Sequence, residues 1–423
     1  MTPGAVPPAW NVHWVEHQEA SDRGKTLHRS SICNVIVREV RTEKDWILQN
    51  SNSLKPLSGL RVLDFTAFPP GGACTVMLAD LGADVIRVES PSLKGKPSLV
   101  VGQVALSRGK RSMTLDMRHR LANDVLQRLM PSVDVIVENA RPGAMEARGF
   151  GYSHARAANP GVIWCAITGF GQTGPYAEYS GHDLSYLAHS GLLGAMSESQ
   201  PWHPAIPLAL QAGAFSAVVA IQAALLQRTR SGQGSFVDVS LSEAATWFLS
   251  CGIRPLSDRP LALPATPDRR LYACADGRYV AVACAEPRTW GVLCDGLGVP
   301  ELKPNLHKPE PAAATTAAIA AVFLTRAAKE WVAFLAPLGA AVTIMNHATQ
   351  LLDDAQVRAR GSVVEAAGTP VPATPIRVVA PDGTETCTDT SAPHTVGADS
   401  DAVLASAGFT PEEIERIAAQ GLT

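Results

Sequence analysis

Pro56-Leu-Ser-Gly-Leu-Arg-Val-Leu-Asp-Phe-Thr66, followed by Ala79-Asp-Leu-Gly-Ala-Asp-Val-Ile-Arg-Val-Glu89, is the stretch that decides the fold. Residues 60–65 read as a short buried strand, because apolar side chains run together between polar flanks. A Gly/Pro stretch at 69–72 follows, then a helix through Leu81 and a second apolar strand at 84–88. This is a βαβ unit, whose strands are expected to be parallel and its crossover right-handed. Strand candidates recur at 112–115, 133–138 and 162–167, with helical segments such as 121–129 between them. Alternation at this spacing predicts an α/β, doubly wound (Rossmann-like) large domain. A helix is expected at about 213–228, apolar nearly all round and therefore buried, stopped by Thr229-Arg-Ser-Gly-Gln-Gly234.

The pattern changes at Tyr272-Ala-Cys-Ala-Asp-Gly-Arg-Tyr-Val-Ala-Val-Ala-Cys284, where Asp276-Gly277 signals a hairpin. Alanine-rich helices at 312–324 and 328–336 complete a smaller α+β domain. The expected organisation is an N-terminal extension at 1–54, a large domain at 55–265, the smaller domain at 266–355, and a segment at 356–423. The last begins with extended pieces around Pro370, Pro372 and Pro375. It closes with Thr410-Pro-Glu-Glu-Ile-Glu-Arg-Ile417, a helix with a Thr N-cap, Pro at N1 and Glu at N3.

With 46% hydrophobic and 18% charged residues over 423 positions, the chain can bury a sizeable core. The apolar pattern is read as that of a soluble protein, with no membrane partner. A net charge of -3 argues against generic nucleic-acid binding, which needs a basic face. Eight scattered cysteines form no CxxC pair, which excludes the usual zinc and disulfide frameworks and fits reduced thiols in a cytoplasmic enzyme. Residues 1–53 lack a long apolar core and are not read as a secretory signal.

Four segments carry candidate chemistry. Ser107-Arg-Gly-Lys-Arg-Ser112 sets Arg108, Lys110 and Arg111 around a glycine, suiting either a phosphate-rich ligand or a solvated basic turn. Asn139, Arg141, Pro142, Gly143 and Met145 follow the strand ending at Glu138, where doubly wound folds bind ligands. Gly169, Gly171 and Gly174 form a GxGxxG, but Pro175 and Tyr176 suggest continued loop rather than the helix a dinucleotide site needs. Their glycines let backbone turn tightly or approach a ligand. Gly181-His182-Asp183 precedes an apolar helix, and an imidazole there is either structural or an acid/base group, its ordinary pKa lying near neutrality.

Together the opening βαβ unit, the Arg-Pro-Gly loop, Gly-His-Asp, Ser231-Gly-Gln-Gly234 and Pro393-His-Thr-Val-Gly397 resemble the family III CoA-transferases (the CaiB/BaiF family, including carnitine and formyl-CoA transferases). That superfamily also contains the α-methylacyl-CoA racemases. The resemblance spans about residue 55 to the C-terminus. It implies coenzyme A thioesters as substrates, a carboxylic acid as the other partner, and no metal or redox cofactor. It assigns Arg108, Lys110, Arg111, Asn139, Arg141, Pro142, Gly143 and Met145 to coenzyme A, although Ala147 stands where relatives often have arginine. It further implies that the C-terminal segment completes the large domain, and that two chains thread into an interlocked dimer, either a homodimer or a heterodimer with a paralogous subunit. By the same resemblance His182, Asp183 and Glu286, the last in Ala283-Cys-Ala-Glu-Pro287, are the catalytic candidates.

One departure bears on the reaction. Relatives carry an aspartate just before the long apolar helix, as covalent nucleophile in the transferases and second acid/base in the racemases. Counting back from the helix places Ala209 there, with Gln211 the nearest polar residue and Glu198 the sole carboxylate between Asp183 and Asp238. Three readings follow. The chain is a CoA-transferase using Asp183, Glu198 or Glu286 as its carboxylate, a racemase-like enzyme enolising through His182, or a non-catalytic CoA-binding subunit. A lyase or hydratase needing one base is a further class.

Overall fold

The computed structural model describes residues 53–66, 69–95, 103–196, 202–251 and 265–423. The expectations for the N-terminal extension, apart from Ser53 and Leu54, and for Glu198 lie outside the described residues. Six strands form one sheet: β1 (Arg61–Asp64), β2 (Asp84–Glu89), β3 (Arg111–Thr114), β4 (Val135–Glu138), β5 (Ile163–Thr168) and β6 (Phe236–Ser240). Their order is β3-β2-β1-β4-β5-β6 and every pairing is parallel. β6 went unread in the sequence, where the glycine-rich turn before it dominates.

Both faces of the sheet are buried, as the doubly wound arrangement requires. Alternate residues point to opposite sides. Val62, Val85, Val137, Cys165 and Val239 enter one core, while Leu63, Ile86, Met113, Ile136 and Trp164 enter the other. The connecting helices are α1 (Pro69–Asp80), α2 (Gln103–Ser107), α3 (Ala122–Leu129), α4 (Ala144–Ala147), α5 (Tyr152–Ala158), α6 (Asp183–His189), α7 (Leu192–Ala195), α8 (Leu208–Ser231) and α9 (Leu241–Thr246). The Gly/Pro stretch is thus the first turn of α1, not a loop before it. Proline is tolerated there because the first helical N–H groups have no intrahelical acceptor.

α8 differs from expectation in two ways. It starts at Leu208, and it is buried on one face only, through Ala209, Ala212, Gly213, Ala217, Val218, Ile221 and Ala224. Phe215, Val219 and Leu226 face outward, with Val219 67% exposed. It is long and apolar enough to cross a bilayer by composition, but its small residues pack against the first core as a helix of a globular domain does.

β7 (Arg269–Ala273), β8 (Tyr279–Ala283) and β9 (Val342–Ile344) form a separate antiparallel sheet, with Gly277 at φ +74° in the β7–β8 turn. Helices α10 (Pro287–Leu297), α11 (Ala312–Phe323) and α12 (Ala328–Leu335) cover it around Trp290, Phe323 and Trp331. The chain continues through α13 (Ala355–Arg360), the hairpin β10 (Val363–Ala366) and β11 (Thr369–Pro372), and ends with α14 (Ser400–Ser406) and α15 (Pro411–Ala419). Thr410 and Glu413 close a capping box at α15. The tail lies along the outer edge of β3. Asp399 N–H donates to the Ser112 carbonyl at 2.9 Å, and its carboxylate accepts from Ser112 N–H at 2.8 Å. Val403, Leu404, Ile414, Ile417 and Leu422 then fill the second core.

Candidate active site

The strand order reverses between β1 and β4, so the carboxyl ends of these strands flank the crevice where open α/β sheets take ligands. Asn139, Arg141, Pro142 and Gly143 form the lip past β4, and Gly143 at φ +75° turns the chain into α4. Arg141 is exposed, and its Nη2 donates to Ser180 Oγ at 2.8 Å. That bond joins the lip to the segment ending in Asp183. Met145 is only 6% exposed and belongs chiefly to the second core. It backs the lip more than it offers a ligand contact.

The basic segment diverges, contrary to its reading as one phosphate site. Arg108 and Lys110 are each 2% exposed. Arg108 Nη2 donates to Asp80 Oδ2 at 2.7 Å, and the same carboxylate receives Thr374 Oγ1 and, at 2.8 Å, the Asp389 N–H. Lys110 Nζ donates to Asp64 Oδ2 at 3.2 Å, Gly72 O at 3.1 Å and Thr75 Oγ1 at 2.6 Å. All three ammonium protons are used inside the protein. Burial alone would raise the Asp64 carboxyl, but the Lys110 charge and the Thr66 and Thr75 hydroxyls hold it below the usual range. Arg111 begins β3, at the opposite end of the sheet from the lip, and pairs with Asp84 at 3.2 Å. These cations hold α1 and the tail in place.

β5 ends at Thr168, and the glycine-rich stretch runs on as loop to α6. His182 is the N-cap of α6, its ring exposed and its N–H donating to Ser185 Oγ at 3.4 Å. Asp183 does not cap that helix. Its Oδ1 accepts the Leu210 N–H at 3.0 Å, with Ala209 and Leu208 N–H also directed at it, so the carboxylate sits on the N-terminus of α8. Burial nevertheless pushes its carboxyl above the ordinary aspartate value, against those N–H groups and nearby His203, which favour the charge. Ala209, in the first turn of α8, is fully buried. A carboxylate therefore does stand at the start of this helix, supplied from another segment.

A model of CoA-transferase family III matches residues 57–400. This chain belongs to that family. It is similar to a probable fatty acyl-CoA transferase of Mycobacterium tuberculosis, 31% identical over 341 residues, or 72% of this chain and 86% of that protein. It is also similar to the human alpha-methylacyl-CoA racemase, 30% identical over 375 residues, or 85% of this chain and 96% of the racemase. A solved CaiB/BaiF family protein from Brucella suis shares the fold with a TM-score of 0.69 and 30% identity, covering 84% of this chain and 99% of its own.

Within this family III member Glu286 comes from a different sheet unit than the other two catalytic candidates. It is the exposed N-cap residue of α10, on the small-sheet unit, and its Oε2 accepts from Thr289 Oγ1 at 3.0 Å. Among the described residues no hydrogen bond or ion pair links it to His182 or Asp183. The buried thiols of Cys165 and Cys284 are pushed up by burial, which disfavours the nucleophilic thiolate. Glu138 was missed in the sequence. It ends β4 at 6% exposure, accepts the Ala140 N–H at 2.6 Å, and burial raises its carboxyl to about 7. Nothing local marks it; the Ala140 N–H and the Trp164 side chain favour its charged form, but burial outweighs them.

Proposed function

We propose that this family III member transfers coenzyme A between carboxylic acids, with Asp183 as the covalent carboxylate. The observation that carries the reading is the Asp183 carboxylate on the N-terminus of α8, partly buried and beside the Arg141–Ser180 link to the lip. Helix N–H groups stabilise the anion and orient it. Partial desolvation makes it a stronger nucleophile than a hydrated carboxylate. An Asp183 oxygen attacks the thioester carbonyl and the thiolate of coenzyme A leaves, giving an aspartyl–acyl anhydride. The thiolate then attacks the aspartyl carbonyl, forming an enzyme thioester and releasing the first acid. The acceptor carboxylate attacks that thioester, expelling the thiolate. Return of the thiolate to the new acyl carbon regenerates Asp183. Protons balance throughout. In this reading coenzyme A runs along the lip residues Asn139, Arg141, Pro142 and Gly143, and the likeness to a probable fatty acyl-CoA transferase supports the substrate class.

Incubation with an acyl-CoA followed by hydroxylamine tests this reading. A hydroxamate on the peptide containing Asp183, absent in Asp183→Asn, is the expected result. Full transfer by Asp183→Asn would overturn it.

The exposed His182 ring and the likeness to the human racemase support a second reading, enolisation at the α-carbon. Deuterium uptake at that carbon from heavy water, lost in His182→Ala, is its signature. Absence of uptake alongside hydroxamate formation leaves the transferase route.

A further inference from the structure

We infer that Tyr186 is the positioning residue of this site, its ring wedged between the glycine-rich loop and the Gly181-His182-Asp183 turn and its hydroxyl fixing the peptide that carries His182. The inference rests on the reading of Asp183 as the covalent carboxylate. Tyr186 lies on the buried face of α6, 8% exposed. Its hydroxyl donates to the Gly181 carbonyl at 2.6 Å. On the far side of the same peptide, His182 N–H donates to Ser185 Oγ. That peptide is thus gripped at both its oxygen and its nitrogen by side chains of the first turn of α6. The next residue, Asp183, is gripped in turn by the start of α8.

The two glycines nearest the ring report the same wedge. A Cβ at Gly181 would lie 2.6 Å from Tyr186 Cε1, and one at Gly169 would overlap that same carbon. Gly169 and Gly181 come from separate stretches, and both are held to glycine by one ring. Phe170 fixes the ring from its edge, with centroids 5.3 Å apart at 79°, and itself meets His189 at 5.2 Å. Burial and the Asp183 charge both raise the phenol, so it remains a proton donor across the working range. The geometry at Asp183 and His182 is therefore set from beneath by a residue that does not touch substrate, and small displacements of reacting groups cost rate rather than affinity.

Tyr186→Phe removes the hydroxyl and keeps the ring. In the CoA-transfer assay of the full chain its kcat is expected to fall about tenfold, with KM for the acyl-CoA within about twofold and the melting temperature nearly unchanged. Gly181→Ala, which drives a methyl into the ring, is expected to lose kcat in the same way. Wild-type kcat in Tyr186→Phe would overturn the role, as would a loss confined to KM or to melting temperature, because a packing residue alone gives that pattern. Asp183→Asn assayed in parallel separates the two claims. Its full activity would overturn the transferase reading, whereas an inactive Asp183→Asn beside an unaffected Tyr186→Phe overturns the role of Tyr186 alone.

Discussion

Lys110 and Arg141 show how two cations of similar promise in a sequence diverge once burial is known. Lys110 is enclosed with Asp64, whose charge it balances. Removing one partner of such a pair strands the other in low dielectric. Lys110→Met is therefore expected to destabilise the protein by roughly 3–5 kcal/mol in denaturant unfolding. Arg141→Ala, at an exposed position, should leave the unfolding midpoint nearly unchanged and weaken coenzyme A binding severalfold by calorimetry. Glu138 supplies a pH test. Its folded-state carboxyl lies at about 7 against an ordinary 4.5, so folding holds its proton more tightly. That contribution is complete below about pH 4.5 and is lost as pH rises through about 7, a span worth up to roughly 3 kcal/mol. Glu138→Gln should match wild type at pH 5 and exceed its stability at pH 8, measured by urea unfolding. The residue types of the site were legible in the sequence. Which of them face a ligand was not, because Lys110 is held against α1, and Glu138 is bonded to Trp164, twenty-six residues on in the chain.

Strands were the most legible elements. Val-Leu-Asp and Val-Ile-Val-Glu are short apolar runs with no helical period, and the structure places β1 and β4 on them. β6 and β9 were not, since Phe236-Val-Asp-Val-Ser240 alternates over only five residues and Val342–Ile344 spans three. The start of α8 was set too late for a related reason. Its first turn carries no side-chain cap of its own, and the acceptor comes from Asp183, twenty-seven residues upstream of Leu210. Its C-terminal end gives a paired prediction. Gly232 caps the helix at φ +69° with open space around it, so Gly232→Ala costs about 1 kcal/mol of left-handed strain. A Cβ at Gly234 would overlap the Val162 carbonyl, where the chain enters the sheet beside β5. Gly234→Ala should therefore shift the unfolding midpoint much further than Gly232→Ala, and a reversed order would contradict the packing described.

The complete assembly raises two expectations. The outward face of α8, with Phe215, Val219 and Leu226, is apolar and exposed among the described residues. We propose that a second chain covers it, in keeping with the dimer implied by the family resemblance. Sedimentation should then give twice the chain mass, and Val219→Asp should shift the equilibrium toward single chains. The second concerns the tail. Gly397, Asp399 and Ser400 bond to β3, and the residues after them deliver Val403, Leu404, Ile414, Ile417 and Leu422 into the second core. Ending the chain after Ala392 should leave that core open and yield aggregated protein by light scattering. The same contact bears on how the chain is made. β1 leaves the ribosome before every other strand, but part of the second face of the sheet stays uncovered until residues 400–422 emerge. A stalled or slowed ribosome would hold an uncovered apolar surface in the open for the whole delay. Yield in cells is therefore expected to respond to translation speed over the codons for 396–423 more than over those for β1.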